Sequence, residues 1–326
     1  MKVSIALCTR NGGQYIAEQL RSILAQKARP TQIVLSDDAS TDGTVALVRS
    51  IMRSPAAEGI ALTVLENHIA LGVTANFEQA VRACTGDLIA LCDQDDSWHP
   101  DRLSRAIGRF ESRPALDLLF TNARLVDDAG VPLAGSLFSV LEVGDRELEQ
   151  LHAGEGAALF IRRNIATGAT VTFRRQLLSS SLPFASAWVH DGWLATIAAV
   201  TGKVDALEEP LIDYRQHSAN QIGVVYPTLR RKIGRALMPR GDRNARIAAM
   251  SVQLAERIDS IDPPVPPALS ALVAAKAAFE AEREALPSHR LLRIAPILRM
   301  NARHLYVRYA SQGRFDLIRD LLQPHR

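Results

Sequence analysis

The stretch that decides the fold is residues 3–44, VSIALCTRNGGQYIAEQLRSILAQKARPTQIVLSDDASTDGT. Val3–Cys8 is a short apolar run, suited to a strand buried on both faces. Tyr15, Ile16, Leu20, Ile23 and Leu24 then recur at helical spacing. Pro30 is a break, Gln32–Ser36 a second strand, and Ser40 or Asp42 can cap a helix over Thr44–Met52. Working outward, Ile60–Leu65 reads as a third strand, Thr74–Ala83 as a helix, Asp87–Cys92 as a fourth strand and Asp101–Phe110 as a helix. Strands alternating with helices of this length predict βαβ units around a parallel sheet.

Beyond residue 113 the pattern loosens. Leu116–Phe120 and Ala169–Phe173 read as strands, Asp191–Val200 as a helix, and Val204–Leu207 and Leu211–Tyr214 as two short strands. Residues 128–160 are glycine-rich and read as loop with one short helix. From Tyr226 onward the pattern is helical, over about 226–237, 243–260, 267–285, 290–311 and 315–323, with a proline cluster at 263–267 between two of the helices. This predicts two domains, 1–225 and 226–326.

The chain has 326 residues, 47% hydrophobic and 22% charged, which excludes wholesale disorder, collagen and coiled coil. No apolar run approaches the 18 or so residues of a spanning helix, and the N-terminus shows no secretory leader, so a cytoplasmic protein is expected. Cys8, Cys84 and Cys92 are too few for a disulfide framework and read as buried thiols. The net charge of +3 hides an asymmetry. Residues 1–225 hold 20 Lys+Arg against 26 Asp+Glu, and residues 226–326 hold 18 against 9. A basic helical tail suits peripheral contact with anionic membrane surfaces or packing as a helical subdomain. Nucleic acid is not expected as a partner, because no recognisable module or aromatic interleaving accompanies the charge.

Three polar clusters follow three of the strands, where open parallel sheets bind ligands. Thr9-Arg10-Asn11-Gly12-Gly13 allows close backbone approach to an anion. Asp37-Asp38 offers a carboxylate to a base N–H or a ribose hydroxyl, whereas Ser40 and Asp42 read as turn and capping residues. Asp93-Gln94-Asp95-Asp96 sets three carboxylates within four residues, which repel one another unless a cation neutralises them. Mg²⁺ or Mn²⁺, held by one or two carboxylates plus phosphate oxygens, suits such a site.

The segments VSIALCTRNGGQYIAEQLRSILAQ (3–26), IVLSDDASTDGT (33–44) and GDLIALCDQDDSWHPDRL (86–103) resemble, in this order and spacing, the family 2 inverting glycosyltransferases of the GT-A fold. More weakly, NIATGATVTFRRQLL, WVHDGWLA and PLIDYRQHSANQIG, reaching residue 223, resemble the bacterial rhamnosyltransferase-like branch that decorates O-antigen and related polysaccharides. The resemblance implies an α/β fold with a GT-A-like, mostly parallel central sheet and flanking helices, here followed by a helical extension. It implies a nucleotide diphosphate sugar donor, dTDP-rhamnose first and UDP-sugars second, and a polysaccharide or lipid-linked saccharide acceptor.

Carried over by residue, Thr9, Arg10 and Asn11 would line the nucleotide pocket and Asp38 would read the pyrimidine base. Asp93 would contact the ribose, and Asp95 and Asp96 would hold the metal, with an Asp93–Asp95 pair as the alternative. Asp191 matches the catalytic base, where many members carry Glu-Asp and this chain has His190-Asp191. The competing reading of Asp191 is a helix N-cap. Arg215 and His217 read equally as phosphate and metal contacts or as plain polar loop residues. Trp188 and Trp193 flank Asp191 and suit an acceptor sugar, with Trp193 equally suited to the core; Gly168-Ala169-Thr170 would shape the acceptor side. A nucleotidyltransferase would need a basic glycine-rich loop, for which Arg10 is the single cation. The other alternative is a non-catalytic nucleotide-sugar-binding module, against which the intact Asp38, the Asp93–Asp96 cluster and Asp191 argue.

Overall fold

The structure, a computed structural model, describes residues 1–217, 234 and 238–324. The chain divides into two compact units. The first comprises Met1–Gly156 and Ile165–Val225, and the second Ala157–Asn164 and Tyr226–Arg326.

The first unit is built on one sheet. Its parallel half runs β3 (Ala61–Glu66), β2 (Gln32–Asp37), β1 (Val3–Thr9), β4 (Leu88–Cys92). β8 (Thr172–Arg174) joins β4 antiparallel to β6 (Leu116–Val126). β6 pairs in parallel with β9 (Lys203–Arg215), whose other edge carries β5 (Ser97–Trp98); β7 (Pro132–Ser136) pairs with β6. Every residue of β1, β2 and β4 is buried, as expected for strands covered on both faces.

Alternation of side chains sends Val3, Ile5 and Leu7 into one layer. There they share a core with Ile16, Leu20 and Ile23 of α1 (Ile16–Leu24), Val48 of α2 (Thr44–Ile51), and Leu103, Ala106 and Phe110 of α4 (Arg102–Ser112). α3 (Val73–Arg82) packs on β1 and β2 and buries Phe77, Ala80 and Val81. Burial of about 1.5–3 kcal/mol per large apolar side chain makes this layer the main source of cohesion. Cys8, Cys84 and Cys92 are buried free thiols, each raised in pKa first by loss of water.

Several elements depart from the sequence reading. β9 is one strand rather than two. A register shift between Thr121 and Asn122 of β6 absorbs Glu208 and Glu209, so Pro210 sits at an irregularity where its missing N–H costs no ladder bond. β6 continues past Phe120 to Val126, because its partner β9 also continues. The 128–160 region holds β7 and three short helices, α5 (Leu137–Val140), α6 (Asp145–His152) and α7 (Ala157–Arg162). Two more helices complete the first unit, α8 (Leu178–Ser181) and α9 (His190–Thr201).

The second unit contains α7, α10 (Arg243–Asp259), α11 (Pro267–Glu284), α12 (Arg290–Ala302), α13 (Leu305–Tyr309) and α14 (Arg314–Leu322). The single helix expected over 290–311 breaks at His304, which takes a left-handed φ of 57°. The helix read over 226–237 lies outside the described residues. Phe279, Ile297, Met300, Tyr306 and Tyr309 form the apolar core of the second unit. Among the described residues no helix is long and apolar enough to cross a membrane.

Candidate active site

The loops after β1, β2 and β4 meet at the carboxyl end of the sheet and knit into one another. Thr9 donates from Oγ1 to Asp37 Oδ2 at 2.6 Å. Asn11 donates its amide to Ser40 Oγ at 2.7 Å and accepts the Thr41 amide on Oδ1 at 2.9 Å. Gln94 accepts the Arg10 amide at 2.8 Å and returns its own N–H to the Arg10 carbonyl at 3.1 Å, tying the acidic loop to the first. A Cβ at Gly12 would push the Gln94 amide out of these bonds. Asp37 and Gln94 are organising residues that the sequence reading placed in its clusters without a role of their own. An acid or amide at a strand end carries no local mark of which loop it will tie.

Asp38 is buried and accepts the amides of Leu71 at 2.6 Å and Gly72 at 3.0 Å. It fixes the turn into α3, and its carboxylate oxygens retain lone pairs for a ligand N–H. The Arg10 guanidinium, half exposed, lies 4.0 Å from Asp38.

The acidic loop is graded by depth. Asp93 and Asp95 are half-buried, whereas Asp96 is 1% exposed. Asp96 Oδ1 accepts the Arg215 amide at 3.0 Å, and Oδ2 has no partner among the described residues. Loss of water, then Asp95 and Asp93, raise the Asp96 carboxyl well above its ordinary range. Asp93 is pushed up to about 7 by loss of water, then by Asp95 and by Asp191.

Beneath the loop lies a counter-charge that the sequence reading did not single out. Arg102 is fully buried, packs its guanidinium 3.5 Å over the Trp98 ring, and donates to the Ala169 carbonyl at 2.7 Å. Its charge lowers the pKa of both Asp93 and Asp96.

Arg215 and His217 both reach this loop. The Arg215 guanidinium is buried and donates to the carbonyls of Asp95 (2.8 Å) and Asp128 (2.9 Å) and to Glu18 (2.8 Å). In this position it braces the acidic loop from behind. His217 Nε2 lies 2.8 Å from Asp95 Oδ2, and its ring stacks on Tyr15 at 4.9 Å. The Tyr15 hydroxyl is bonded to Asp128, which pushes its pKa up to about 12.

Asp191 comes to the same site from α9. It is not the N-cap, which is Val189, but the second residue of the helix. Its Oδ2 accepts the Gly168 amide at 3.0 Å and its Oδ1 the Gly192 amide at 2.5 Å. Loss of water nevertheless raises the carboxyl to about 6, against the lowering effect of those two amides. Its neighbour His190 is buried against Phe77 with ring centroids 3.9 Å apart, neither ring nitrogen has a partner among the described residues, and burial pushes it down to about 3. His190 is therefore a neutral packing ring at physiological pH. Trp193 is core, its Nε1 donating to the Ser181 carbonyl at 2.7 Å, while Trp188 is half-buried beside it.

The donor chemistry fits a divalent cation in a particular way. Among the described residues no three His, Cys, Asp or Glu side chains converge as a protein cage. Asp93 and Asp95, each accessible and repelling the other, fit the arrangement in which two carboxylates and phosphate oxygens share the ion. Asp96 lies in the layer behind, buried with one carboxyl oxygen that has no partner among the described residues.

Comparison with known proteins follows the same lines. The family model described as "Glycosyl transferase family 2" matches residues 4–179. An uncharacterized glycosyltransferase of Nostoc sp. is 28% identical over 233 residues, covering 68% of this chain and 66% of that protein. The dTDP-rhamnosyl transferase RfbG of Shigella flexneri is 27% identical over 227 residues, covering 67% and 73%. The chain spans about 59–66% of the length of the first curated relatives it matches. Among solved structures, S. aureus TarS 1–349 in complex with UDP-GlcNAc has a TM-score of 0.61 at 17% identity, covering 99% of this chain and 90% of that one. The mannosyltransferase PcManGT from Pyrobaculum calidifontis, in complex with GDP-Man and Mn²⁺, has a TM-score of 0.55 at 22% identity, covering 92% and 75%. These likenesses show a GT-A-like fold.

Proposed function

Because the chain belongs to glycosyl transferase family 2, we propose that it moves a sugar from a nucleotide diphosphate donor to a saccharide hydroxyl, inverting the anomeric centre. Rhamnose from dTDP-rhamnose is the first donor to test and UDP-sugars the second, and the acceptor is a surface polysaccharide or its lipid-linked precursor. The likeness to the rhamnosyl transferase of Shigella flexneri supports this order.

One observation carries the reading. Asp191, with its carboxyl raised to about 6, lies close enough to the acidic loop to raise Asp93 in turn. A half-buried base beside a diphosphate-binding acidic loop is what single displacement at an anomeric carbon requires. In that step the acceptor oxygen bonds to the anomeric carbon and the bond to the β-phosphate oxygen breaks. The acceptor proton passes to Asp191, and the nucleoside diphosphate leaves. A divalent cation held by Asp93 and Asp95 would, when bound, offset the charge gathering on the departing diphosphate.

The other residues hold this arrangement. Thr9, Arg10 and Asn11 form the nucleotide side, and Asp38 accepts from the base. His217 orients Asp95, and Arg215 braces the loop that carries Asp93, Asp95 and Asp96. The test is thermal unfolding with dTDP, UDP, GDP or CDP, each with and without Mn²⁺. At one hundred times the dissociation constant, a ligand of the folded state adds about 2.7 kcal/mol. A metal-dependent rise with one diphosphate is expected, and no rise with any of the four overturns the reading.

A further inference from the structure

The second unit carries an arrangement that packing within a water-soluble bundle does not explain. α12 is inserted with an arginine inward and leucines outward. Arg293 is fully buried and donates to the carbonyls of Pro287 (2.6 Å), Ser288 (2.7 Å), Asp320 (3.1 Å) and Gln323 (2.7 Å). Those four bonds, with Ile297 and Met300 buried on the same side, fix the rotation of the helix. Leu291, Ile294, Ala295 and Leu298, at positions i, i+3, i+4 and i+7, consequently form an apolar stripe facing solvent, with Leu291 69% and Leu298 58% exposed. Leu292, 64% exposed, borders it.

Within residues 287–324 the solvent-facing charge has one sign. Between Leu286 and Pro324 the only carboxylates are Asp316 and Asp320, and both are fully buried. The solvent-facing charge of this stretch belongs to Arg290, Arg299, Arg303, Arg308 and Arg314, of which Arg303 is paired with Glu282 at 3.0 Å. A second copy would bring like charge to like charge. A nucleic acid backbone would satisfy the arginines and leave the leucines in water. An anionic bilayer surface satisfies both, with the leucines in the acyl boundary and the arginines among the headgroups.

We propose that the outward face of α12 docks the protein on an anionic lipid surface. The docking is independent of the transfer chemistry and is read without it. The full chain is sedimented with phosphatidylcholine vesicles, with and without phosphatidylglycerol, over a range of salt. Binding to the phosphatidylglycerol vesicles alone, released as salt rises, is expected. Leu291→Gln/Leu298→Gln should weaken it more than tenfold, and each of Arg290→Gln and Arg299→Gln by roughly fivefold. These side chains are exposed, and circular dichroism confirms that each variant is folded. Absence of binding by the wild type, or folded leucine variants that bind as it does, overturns the proposal. So does a shift in sedimentation coefficient showing self-association through this face, or binding to single-stranded RNA that the leucine variants retain while vesicle binding is absent.

Discussion

Replacing Asp191 with Asn removes the proposed base while nearly preserving its volume, and the structure allows the consequences for stability and for rate to be separated. Raising the carboxyl from 3.8 to about 6 corresponds to about 3 kcal/mol against the charged form in the folded chain. Asn relieves that cost. It also replaces one acceptor oxygen by an NH₂ group, which must face the amide of either Gly168 or Gly192. An amide left without its acceptor costs about 1–3 kcal/mol. The two effects oppose each other at similar size, so the melting temperature of Asp191→Asn should lie close to that of the wild type. Donor binding, which uses the loops after β1, β2 and β4, should also be unchanged. Loss of general base catalysis should lower turnover by about 10²–10⁴-fold. The assay is release of nucleoside diphosphate from the donor chosen by thermal shift, with binding of that donor measured by calorimetry. A folded variant that binds and turns over the donor at the wild-type rate would falsify the assignment of Asp191 as the base.

Further outcomes follow from the same geometry. Because Asp191 is raised to about 6, kcat/KM should climb between pH 5 and 7 as it loses its proton, and a flat profile there refutes the assignment. Linkage has the opposite sign: stability from the raised Asp191 is fully present below pH 3.8 and lost as pH rises through about 6, which chemical unfolding of wild type against Asp191→Asn measures. Gly168→Ala would set a Cβ 2.7 Å from His190 Nε2, a ring pinned on Phe77, so the 168–170 turn must move and Asp191 lose the Gly168 amide. A lower melting temperature and at least tenfold slower transfer are expected, and wild-type values of both would show that the turn tolerates the methyl group. In the second unit, Arg283→Met leaves the buried Glu280 and Asp320 without their shared cation, which lies 2.8 and 2.7 Å from them. Unfolding in urea should show a loss of about 3–5 kcal/mol, and a change below about 1 kcal/mol would mean that Lys276 and Tyr306 compensate.

What the sequence determined by itself was the alternation of strands and helices in the parallel half of the sheet and the polar loops that emerge at its carboxyl end. Apolar runs such as Val3–Cys8 and Leu88–Cys92, alternating with amphipathic helices, are local patterns, and burial on both faces of a parallel sheet leaves that pattern directly in the chain. The polar clusters at 9–13, 37–38 and 93–96 were legible for the same reason, since a strand end dictates where the loop emerges. Depth was not legible. Asp93, Asp95 and Asp96 look alike in a row of letters, yet one is sealed under Arg215 and two remain accessible, because desolvation depends on what arrives from β9. Nor did composition distinguish the arginines of the tail. Arg283 pairs with buried carboxylates and Arg293 donates to buried carbonyls, whereas Arg290 and Arg299 face water. Periodicity states which residues share a helix face. Only packing in three dimensions decides which face is turned inward, and on α12 it turned the arginine in and the leucines out.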